Sequence, residues 1–493
     1  MNVRRYQKWA KSGLAIMLAG AMMVGTAASG GGMTAQAAET ESSDTVSTQK
    51  AVTSDAASLL FTEKHITSDL TLPTIGASGT TISWKSSNPS VLSNEGKVTR
   101  PKKGAADEEV TLKGTVKMGD YAKARKFAFV VLAESEMGPT KEFALDQVEL
   151  LDDYYLTAQN SDIEFLKKFD NDRLLSRFRE TAGLDTKKIA PYGGWEDGWL
   201  GGHSVGHYLT AIAQAVKATG NADLKEKSKQ LIKGLAECQN KLGTGFIFGA
   251  KIETEGYVEK QFDILEGKTT GKTWVPWYNM HKMLTGLVDT YKYTGNKQSL
   301  EVAKKLGDWI YNRVSKWDAG TQGRVLGTEY GGMNDCLYEL YLCTRDSKHL
   351  EAAHKFDEPN LYKTVAKGGK NCLNGKHANT TIPKFLGALK RYVVLEQTGE
   401  LTKDDEAYLT NVEKFFDIAV TRHAYITGGV SVMEHFRKDN NQDGTRTQTN
   451  CESCCAHNML KMAKELYKVT GDKKYADYYE TTLRNSIMGA VKS

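Results

Sequence analysis

One short segment carries most of the chain's reactive side chains. Residues 451–457 contain three thiols, a carboxylate and an imidazole. Thiolate, imidazole and carboxylate are the ligands that zinc prefers, and a thiolate near a positive charge is also a nucleophile. An amphipathic run over 459–467 follows, so helical spacing places the segment at a helix N-terminus, where the dipole favours anionic groups. The segment therefore predicts a metal site or a reactive thiol, with buried structural cysteines as the alternative.

Five other segments concentrate aromatic, histidine and glycine residues where a loop leads into a helix. Aromatic faces stack on the C–H faces of a sugar, while histidine, asparagine and carboxylate groups bind its hydroxyls. Any one of these histidines could instead be a helix cap or a core hydrogen-bonding group, but five such segments together favour a sugar-binding mouth. The segments are 192–208, 274–282, 327–334, 373–380 and 427–436.

The helices that must position these segments are separated by a recurring turn with the pattern Thr-Gly-Asn or Thr-Gly-Asp. Glycine in the left-handed conformation ends one helix and the next residue starts another, which is typical of a helix hairpin. Repeats of roughly fifty to seventy-five residues, each with one hairpin and a long loop, favour a closed ring, an α/α toroid, with the loops at one end forming the mouth. The turn, or a variant of it, occurs at 218–221, 293–296, 397–400 and 469–472, with a degenerate copy at 343–346.

The N-terminal region predicts export. Basic residues precede an apolar run over 14–28, and small residues then lead to an A-x-A sequence at 35–37. This order is typical of a secretory signal peptide, here over 1–38, and it predicts a secreted protein. No later stretch is apolar enough to span a membrane. Residues 39–56 are rich in Thr, Ser, Ala and Asp without apolar periodicity, which predicts a flexible linker.

Between residues 57 and 134 the hydrophobic period changes to two, with turn residues at 87–89 and 94–97. Short alternating strands at this spacing predict a small β-sandwich. The sequence over 82–91 also resembles the bacterial immunoglobulin-like modules attached to secreted carbohydrate-active enzymes. Such a module is either a spacer or a weak glycan-binding unit, and we favour the spacer.

Composition limits the classes of function. At 493 residues the chain is long enough for two or more domains, and its hydrophobic fraction of 40% and charged fraction of 25% are those of a soluble globular protein. The net charge of +5 is small, and the lysines are not clustered with aromatic residues, so nucleic acid is not expected as a partner. Of the seven cysteines, four stand singly and are predicted to be core residues: Cys238, Cys336, Cys343 and Cys372.

Taken in order, the five segments and the cysteine cluster resemble the β-L-arabinofuranosidase group of glycoside hydrolases, families 127 and 146, from about residue 143 to residue 493. The resemblance implies an (α/α)6-type barrel that removes terminal L-arabinofuranose from plant glycans with retention. It also implies a cysteine thiolate bound to Zn²⁺ as the nucleophile, in place of the second carboxylate of most retaining enzymes. The expected partner is an arabinose-containing oligosaccharide or polysaccharide.

The resemblance assigns roles to individual residues. Glu434, within the pattern Gly-Gly-x-Ser-x-x-Glu-His-Phe at 428–436, matches the general acid/base. Glu452 and Cys454 match the Glu-x-Cys half of the zinc site, His281 and His377 match histidines that contact the sugar, and Glu480 matches a carboxylate that binds its hydroxyls. In the family a downstream Cys-Cys pair supplies the nucleophile and the remaining zinc sulfur. We therefore expect an incomplete zinc site here, and we assign neither Cys451 nor Cys455 as the nucleophile.

Two other interpretations stay open. A non-catalytic glycan-binding protein would have the aromatic mouth and the β-module without a complete metal site. A lyase or unsaturated-uronide hydrolase with the same toroid would need an arginine-lined mouth, and the five segments contain no prominent arginine. The predicted fold is mainly α: a signal peptide (1–38), a linker (39–56), a small all-β immunoglobulin-like sandwich (57–134) and an α/α-barrel catalytic domain, incomplete at its C-terminal end (140–493).

Overall fold

The computed structural model describes residues 43–61, 64–67, 69–102, 105–133, 140–196, 198–250, 257–442, 444 and 450–490. The signal peptide predicted over 1–38 lies outside these residues. The chain divides into two compact units. The smaller comprises the described residues up to 61 with Thr71–Ser87 and Thr111–Ala128, and the larger comprises Lys64–Leu70, Asn88–Val110 and the rest of the chain from Phe129. None of the described helices is both long enough and apolar enough to cross a membrane.

The N-terminal strands form a single sheet. Its strands are β1 (His65–Ile66), β2 (Thr81–Ser86), β3 (Glu108–Met118) and β4 (Tyr121–Val131), in the spatial order β1-β4-β3-β2. β2 runs antiparallel to β3, with Thr81 opposite Lys117 and Ser86 opposite Leu112, and β1 runs parallel to β4. The predicted β-region is thus present, but its described strands make one sheet rather than the two packed sheets of a sandwich.

The residues predicted as a flexible linker belong instead to helix α1 (Ser43–Ser58). Val52 and Ala56 on this helix, with Leu59 just after it, recur at helical spacing and are buried against Ile82 and Val116 of the sheet. An apolar stripe this short is hard to recognise in a sequence rich in Ser, Thr and Ala. Burial of the stripe against the sheet stabilises the helix. The linker prediction is wrong for that reason.

A buried carboxylate fixes α1 to the loop before β2. Asp55 accepts hydrogen bonds from the Ser78 amide at 3.0 Å and from the Thr80 hydroxyl at 2.8 Å. Hydrogen bonds from Thr80 and Ser78 to the charged form hold the pKa of Asp55 below its ordinary value, although burial acts in the opposite direction.

The larger unit is built of helix hairpins. Five hairpins pair α4 with α5, α7 with α8, α10 with α11, α13 with α14, and α15 with α16. Their first helices pack side by side in chain order, α4 against α7, α7 against α10, α10 against α13 and α13 against α15, as expected for an α/α barrel. The helices are α2 (Asp153–Lys167), α3 (Asn171–Thr181), α4 (His203–Thr219), α5 (Ala222–Leu242), α6 (Lys260–Leu265), α7 (Pro276–Thr294), α8 (Lys297–Val314), α9 (Ala319–Leu326), α10 (Met333–Thr344), α11 (Ser347–His354), α12 (Pro359–Ala366), α13 (Ala378–Thr398), α14 (Glu406–His423), α15 (Ser453–Thr470) and α16 (Lys473–Thr482).

Three of the four regular turns act as the sequence predicts, and in the fourth Gly399 ends α13 but Asp405 rather than Glu400 is the N-cap residue of α14. Gly220, Gly295 and Gly471 end α4, α7 and α15 in the left-handed conformation, with φ of 68°, 70° and 67°. The Asn or Asp that follows caps the next helix through its side chain. In the degenerate copy Arg345 adopts the left-handed conformation, with φ of 55°, and Asp346 caps α11.

The seam between α4 and α7 is backbone against backbone. A Cβ atom added at Gly206 would lie 2.0 Å from the Lys282 carbonyl oxygen, and one at Gly286 would lie 2.6 Å from the Gly206 carbonyl oxygen. Glycine at these two positions therefore permits the close approach of the helices.

A belt of alternating charges joins the first helices of the last four hairpins, α7, α10, α13 and α15. Glu339 on α10 accepts from Lys292 of α7 at 2.5 Å and from Lys390 of α13 at 2.6 Å. Lys390 also lies 3.7 Å from Glu465 of α15, which in turn pairs with Lys468 at 3.3 Å. Burial alone would raise the pKa of Glu339, but attraction to the two lysines holds it well below its ordinary value.

Candidate functional site

The acid/base candidate and one sugar-contact candidate meet at the N-terminus of α13. Glu434 has a left-handed backbone, with φ of 65°, and its carbonyl oxygen accepts from the Ala378 amide at 2.7 Å. Its carboxylate lies 3.5 Å from Nε2 of His377, and 56% of its side chain is exposed. His377 caps α13, since its Nδ1 accepts from the Thr380 amide at 3.2 Å. A neutral His377 therefore carries its proton on Nε2, facing Glu434.

A further carboxylate belongs to this group, and sequence reasoning gave it no role. Glu329 accepts a hydrogen bond from Thr380 and interacts electrostatically with His377, Lys282 and Glu434. Burial raises the pKa of Glu329, and the negative charge of Glu434 raises it further, against the opposing effect of His377 and Lys282. Its position in the aromatic segment 327–334 is a sequence signal for a role in the site. Sequence spacing, however, does not tell which carboxylate faces a partner side chain.

The loop 428–436 also holds the cysteine cluster at the N-terminus of α15. The carbonyl oxygen of Ser431 accepts from the Cys451 amide at 2.8 Å, and its hydroxyl accepts from the Glu452 amide at 3.2 Å. Glu452 is the N-cap residue of α15. Its carboxylate accepts from the Cys454 thiol at 3.4 Å, with the Cys455 thiol 3.8 Å from the other oxygen. One loop therefore joins Glu434 to the Glu452–Cys454 pair.

The surroundings of Cys454 favour the protonated thiol. Desolvation by the surrounding protein raises its pKa to about 11, although the residue is exposed to water, and the charge and hydrogen bonding of Glu452 act in the same direction, against the nearby Lys282 ammonium. Burial likewise raises the pKa of Cys451 and Cys455. A thiol in this state becomes a thiolate near neutral pH when a further positive charge, such as a metal ion, lies beside it.

The described residues fit half of a zinc site. Structural and catalytic zinc ions commonly have four ligands. Glu452 and Cys454 offer two donor atoms 3.4 Å apart. Within the described parts of the chain, no third His, Cys, Asp or Glu completes a group around them whose donor atoms all lie within 4.8 Å of one another. A three-ligand group of that kind does occur elsewhere, at Asp308, Asp346 and His349.

Cationic and imidazole side chains from α4, α7 and α15 face one another beside the thiol. Lys461 lies 3.1 Å from the Asp335 carboxylate, and the Lys282 ammonium lies 4.7 Å from the centre of the Tyr278 ring. Burial lowers the pKa of Lys282 to about 8, and Lys461 adds to the effect, while Cys454 and Glu329 oppose it. The spacing of 278 and 282, and of 454 and 461, brings each pair to one helix face.

Two histidines of this group are held neutral. Desolvation by the surrounding protein, followed by the charge of Lys282, lowers the pKa of His207 to about 3, although water reaches its ring. Desolvation, followed by the charges of Lys461 and then Lys282, lowers the pKa of His457 to about 4. Both imidazoles can therefore accept as well as donate a hydrogen bond at neutral pH, which suits sugar hydroxyls.

His281 and Glu480 lie differently from the other candidates. His281 is 6% exposed and its Nδ1 accepts from the Gly332 amide at 3.0 Å. Burial, with the charges of Lys282 and Lys461, holds its pKa well below its ordinary value. Glu480 is exposed on α16 and pairs with Arg484 at 2.9 Å. The structure thus brings together Glu434 with His377 and Glu452 with Cys454, keeps His281 within electrostatic reach of Lys282, and places Glu480 in a separate surface pair.

Comparison with known proteins adds a family and a fold. A family model described as the GH127 catalytic domain of β-L-arabinofuranosidase matches residues 147–493, and one described as an atrophied bacterial Ig domain matches residues 41–134. No curated protein matches the chain. A solved GH127 β-arabinofuranosidase has a TM-score of 0.51 at 18% identity, over 72% of this chain and 55% of that one. A GH127 β-L-arabinofuranosidase from Geobacillus stearothermophilus T6 has a TM-score of 0.47 at 17% identity, over 69% of this chain and 53% of that one.

This chain therefore spans about half the length of these two solved structures. The first of them supports the mainly α, α/α-barrel-like fold predicted from the hairpin turns. The match to the Ig-domain model begins before α1, so that helix belongs to the matched N-terminal module. Because the catalytic-domain model covers well over half of the chain, the chain belongs to the GH127 β-L-arabinofuranosidase family of glycoside hydrolases.

Proposed function

We propose that this chain forms part of a secreted, retaining glycoside hydrolase that releases terminal L-arabinofuranose from plant oligosaccharides or polysaccharides. Membership of the family supports the reaction class. The observation that carries the proposal is the loop 428–436, which holds Glu434 beside His377 and, through Ser431, fixes the Glu452–Cys454 pair. One short loop thus holds the carboxylate that serves as general acid/base and fixes the pair that would bind the zinc ion.

Glu434 acts as the general acid/base. Its exposed carboxylate is free to reach a substrate oxygen, while Nε2 of His377 lies 3.5 Å from one carboxylate oxygen and orients the group electrostatically. It first protonates the departing glycosidic oxygen and then removes a proton from the attacking water. The neutral imidazoles of His207 and His457 and the ammonium of Lys282 bind and orient sugar hydroxyls beside it.

Glu452 and Cys454 would hold a zinc ion, which would supply the positive charge that favours a thiolate. We propose that the ion's other ligands, and the cysteine nucleophile, come from outside the described residues. In this proposal Glu452 presents its carboxylate from the N-cap of α15 and Cys454 follows in the first turn. His281 and Glu480 remain proposed sugar-binding residues, His281 from behind the Gly331–Gly332 turn.

Secretion and the partner are proposals of the same kind. The basic, apolar and A-x-A segments over 1–38 support export. A plant glycan bearing arabinofuranose is the partner that fits an exported family member with an N-terminal Ig-like module.

The Glu434→Gln variant, made in the whole protein that supplies the nucleophile, tests the catalytic assignment. With a nitrophenyl β-L-arabinofuranoside as substrate, we expect kcat to fall about 10²–10⁴-fold, because the amide keeps the shape but cannot remove the proton from the attacking water, and KM should fall with it because the glycosyl-enzyme accumulates. Glu301→Gln, on the exposed face of α8, is the matched control and should leave both constants unchanged. Turnover retained by Glu434→Gln would contradict the assignment. Saturable arabinose binding with no turnover, in the whole protein that supplies the nucleophile and the other zinc ligands, would favour a glycan-binding protein instead.

A further inference from the structure

A second set of ligand-type side chains lies where α8 packs against α11. Asp308 comes from α8, Asp346 is the N-cap residue of α11, and His349 follows in the first turn of α11. One donor atom of each lies within 4.8 Å of the other two, and Nε2 of His349 is 3.8 Å from Oδ1 of Asp308. Two carboxylates and an imidazole therefore converge between neighbouring hairpins.

The tautomer of His349 directs a lone pair at these carboxylates. Its Nδ1 lies 2.8 Å from the Thr344 hydroxyl, and that hydroxyl donates its own proton to the Leu340 carbonyl at 2.9 Å. In the tautomer with this Nδ1 as the donor, Nε2 of the neutral ring carries no proton. Burial lowers the pKa of His349, although the Asp346 and Asp308 carboxylates and the Lys304 main-chain carbonyl oppose it.

Neither Nε2 of His349 nor Oδ1 of Asp308 has a hydrogen-bond partner among the described residues. His349 is fully buried, so water does not compensate its ring nitrogen. A buried lone pair facing carboxylate oxygens is unfavourable by itself, and a cation between them satisfies all three groups.

The local sequence makes room for this histidine. A Cβ atom added at Gly307 would lie 2.7 Å from Nε2 of His349, so glycine lets the ring lie against the backbone of α8. The residue three positions after the capping Asn or Asp is Leu224, Ser299 or Tyr475 in three other hairpin turns. The histidine thus belongs to the hairpin whose turn is degenerate, and its glycine neighbour lies on α8 of the preceding hairpin.

We propose that Asp308, Asp346 and His349 bind a divalent transition-metal cation that clamps α8 to α11. One imidazole nitrogen and two carboxylate oxygens, with water in the remaining positions, suit Mn²⁺ or Zn²⁺. Lys348 is the competing cation: its ammonium lies 3.7 Å from Oδ1 of Asp308, on a side chain that is 50% exposed. The proposal is independent of the sugar reaction.

Manganese is the sharpest probe, because Mn²⁺ prefers oxygen and imidazole ligands and the thiol of Cys454 does not suit it. The electron paramagnetic resonance signal of free Mn²⁺ would be titrated against the full chain. We expect one saturable site, weakened about tenfold or more by His349→Gln and by Asp308→Asn. The matched control is His354→Gln, a half-buried histidine at the end of the same helix whose Nε2 also lacks a partner but lies outside the cluster.

Lys348→Gln supplies a test that does not depend on removing a buried group. Loss of the competing ammonium should tighten Mn²⁺ binding about two- to fivefold, the range for an exposed ion pair. Circular dichroism without metal checks that each variant is folded. Absence of saturable Mn²⁺ binding, or binding unchanged by both Lys348→Gln and Asp308→Asn, would overturn the proposal.

Discussion

Replacing Glu339 by glutamine tests the buried charge belt. Its carboxylate lies 2.5 Å from Lys292 and 2.6 Å from Lys390, and only 16% of its side chain is exposed. The amide fills nearly the same volume, so the substitution removes a charge and leaves no cavity. It leaves two ammonium groups facing a neutral side chain, with Lys390 retaining Glu465 at 3.7 Å.

The expected loss of unfolding free energy is about 3–5 kcal/mol, the range for breaking a buried ion pair on one side. Lys390→Met should cost about half as much, because Glu339 then keeps Lys292 and Glu465 keeps Lys468. The loss of unfolding free energy should be larger for Glu339→Gln than for Lys390→Met, because Glu339 joins two lysines by short contacts while Lys390 makes one short and one long contact.

Urea denaturation followed by fluorescence and circular dichroism measures both losses, with the slope compared between variants to check that the denatured state is unchanged. Glu301→Gln is the control, since that carboxylate is 63% exposed and its pair with Lys304 is 3.7 Å long. We expect that control to cost less than about 0.5 kcal/mol. A loss below about 1 kcal/mol for Glu339→Gln, or a larger loss for Lys390→Met, would show that Glu339 does not hold the belt together.

Two other predictions concern pH and the α4–α7 seam. Burial would raise the pKa of Glu465, but Lys390 and Lys468 lower it from 4.5 to about 2, so its stabilising contribution is present above pH 4.5 and is lost as the pH falls towards 2. The unfolding free energy should therefore fall by up to about 3 kcal/mol over that window, and a urea midpoint that stays constant there would contradict the assignment. Gly206→Ala should cost about 1–3 kcal/mol or more in the same assay, because the new methyl meets a main-chain carbonyl. Gly323→Ala in α9, where nothing lies within 4 Å of the added methyl, should be neutral or stabilising, and equal effects at the two glycines would show that the seam is not tightly packed.

The hairpins could be predicted from sequence because each turn encodes its own geometry. Glycine at 220, 295 and 471 requires no tertiary contact to end a helix, and the next residue caps its successor within three positions. The N-terminal helix α1 could not be predicted in this way. Its buried positions are few, and they become meaningful only when the sheet residues that cover them, Ile82 and Val116, are known.

In the candidate site, too, some groups are placed together by local sequence and others only by packing of distant helices. Glu452 and Cys454 are two residues apart, so sequence spacing alone places them together at the N-terminus of α15. Glu329 reaches Glu434 across about a hundred residues through packing of α10 and α13, and no local pattern records that distance. The pairing of Asp308 with His349 is likewise set by which faces of α8 and α11 meet.

The order of the hairpins has a consequence for how the chain folds. Each first helix packs on the one before it, from α4 through α7, α10 and α13 to α15, so each hairpin meets the hairpin that precedes it in the chain. During synthesis an emerging hairpin can dock on its predecessor, and the ring can grow from one end as repeat proteins do. Among the described elements, the loop that joins Glu434 to Glu452 is completed only when α15 docks on α13. The reactive groups then come together late, after the helices that support them are already in place.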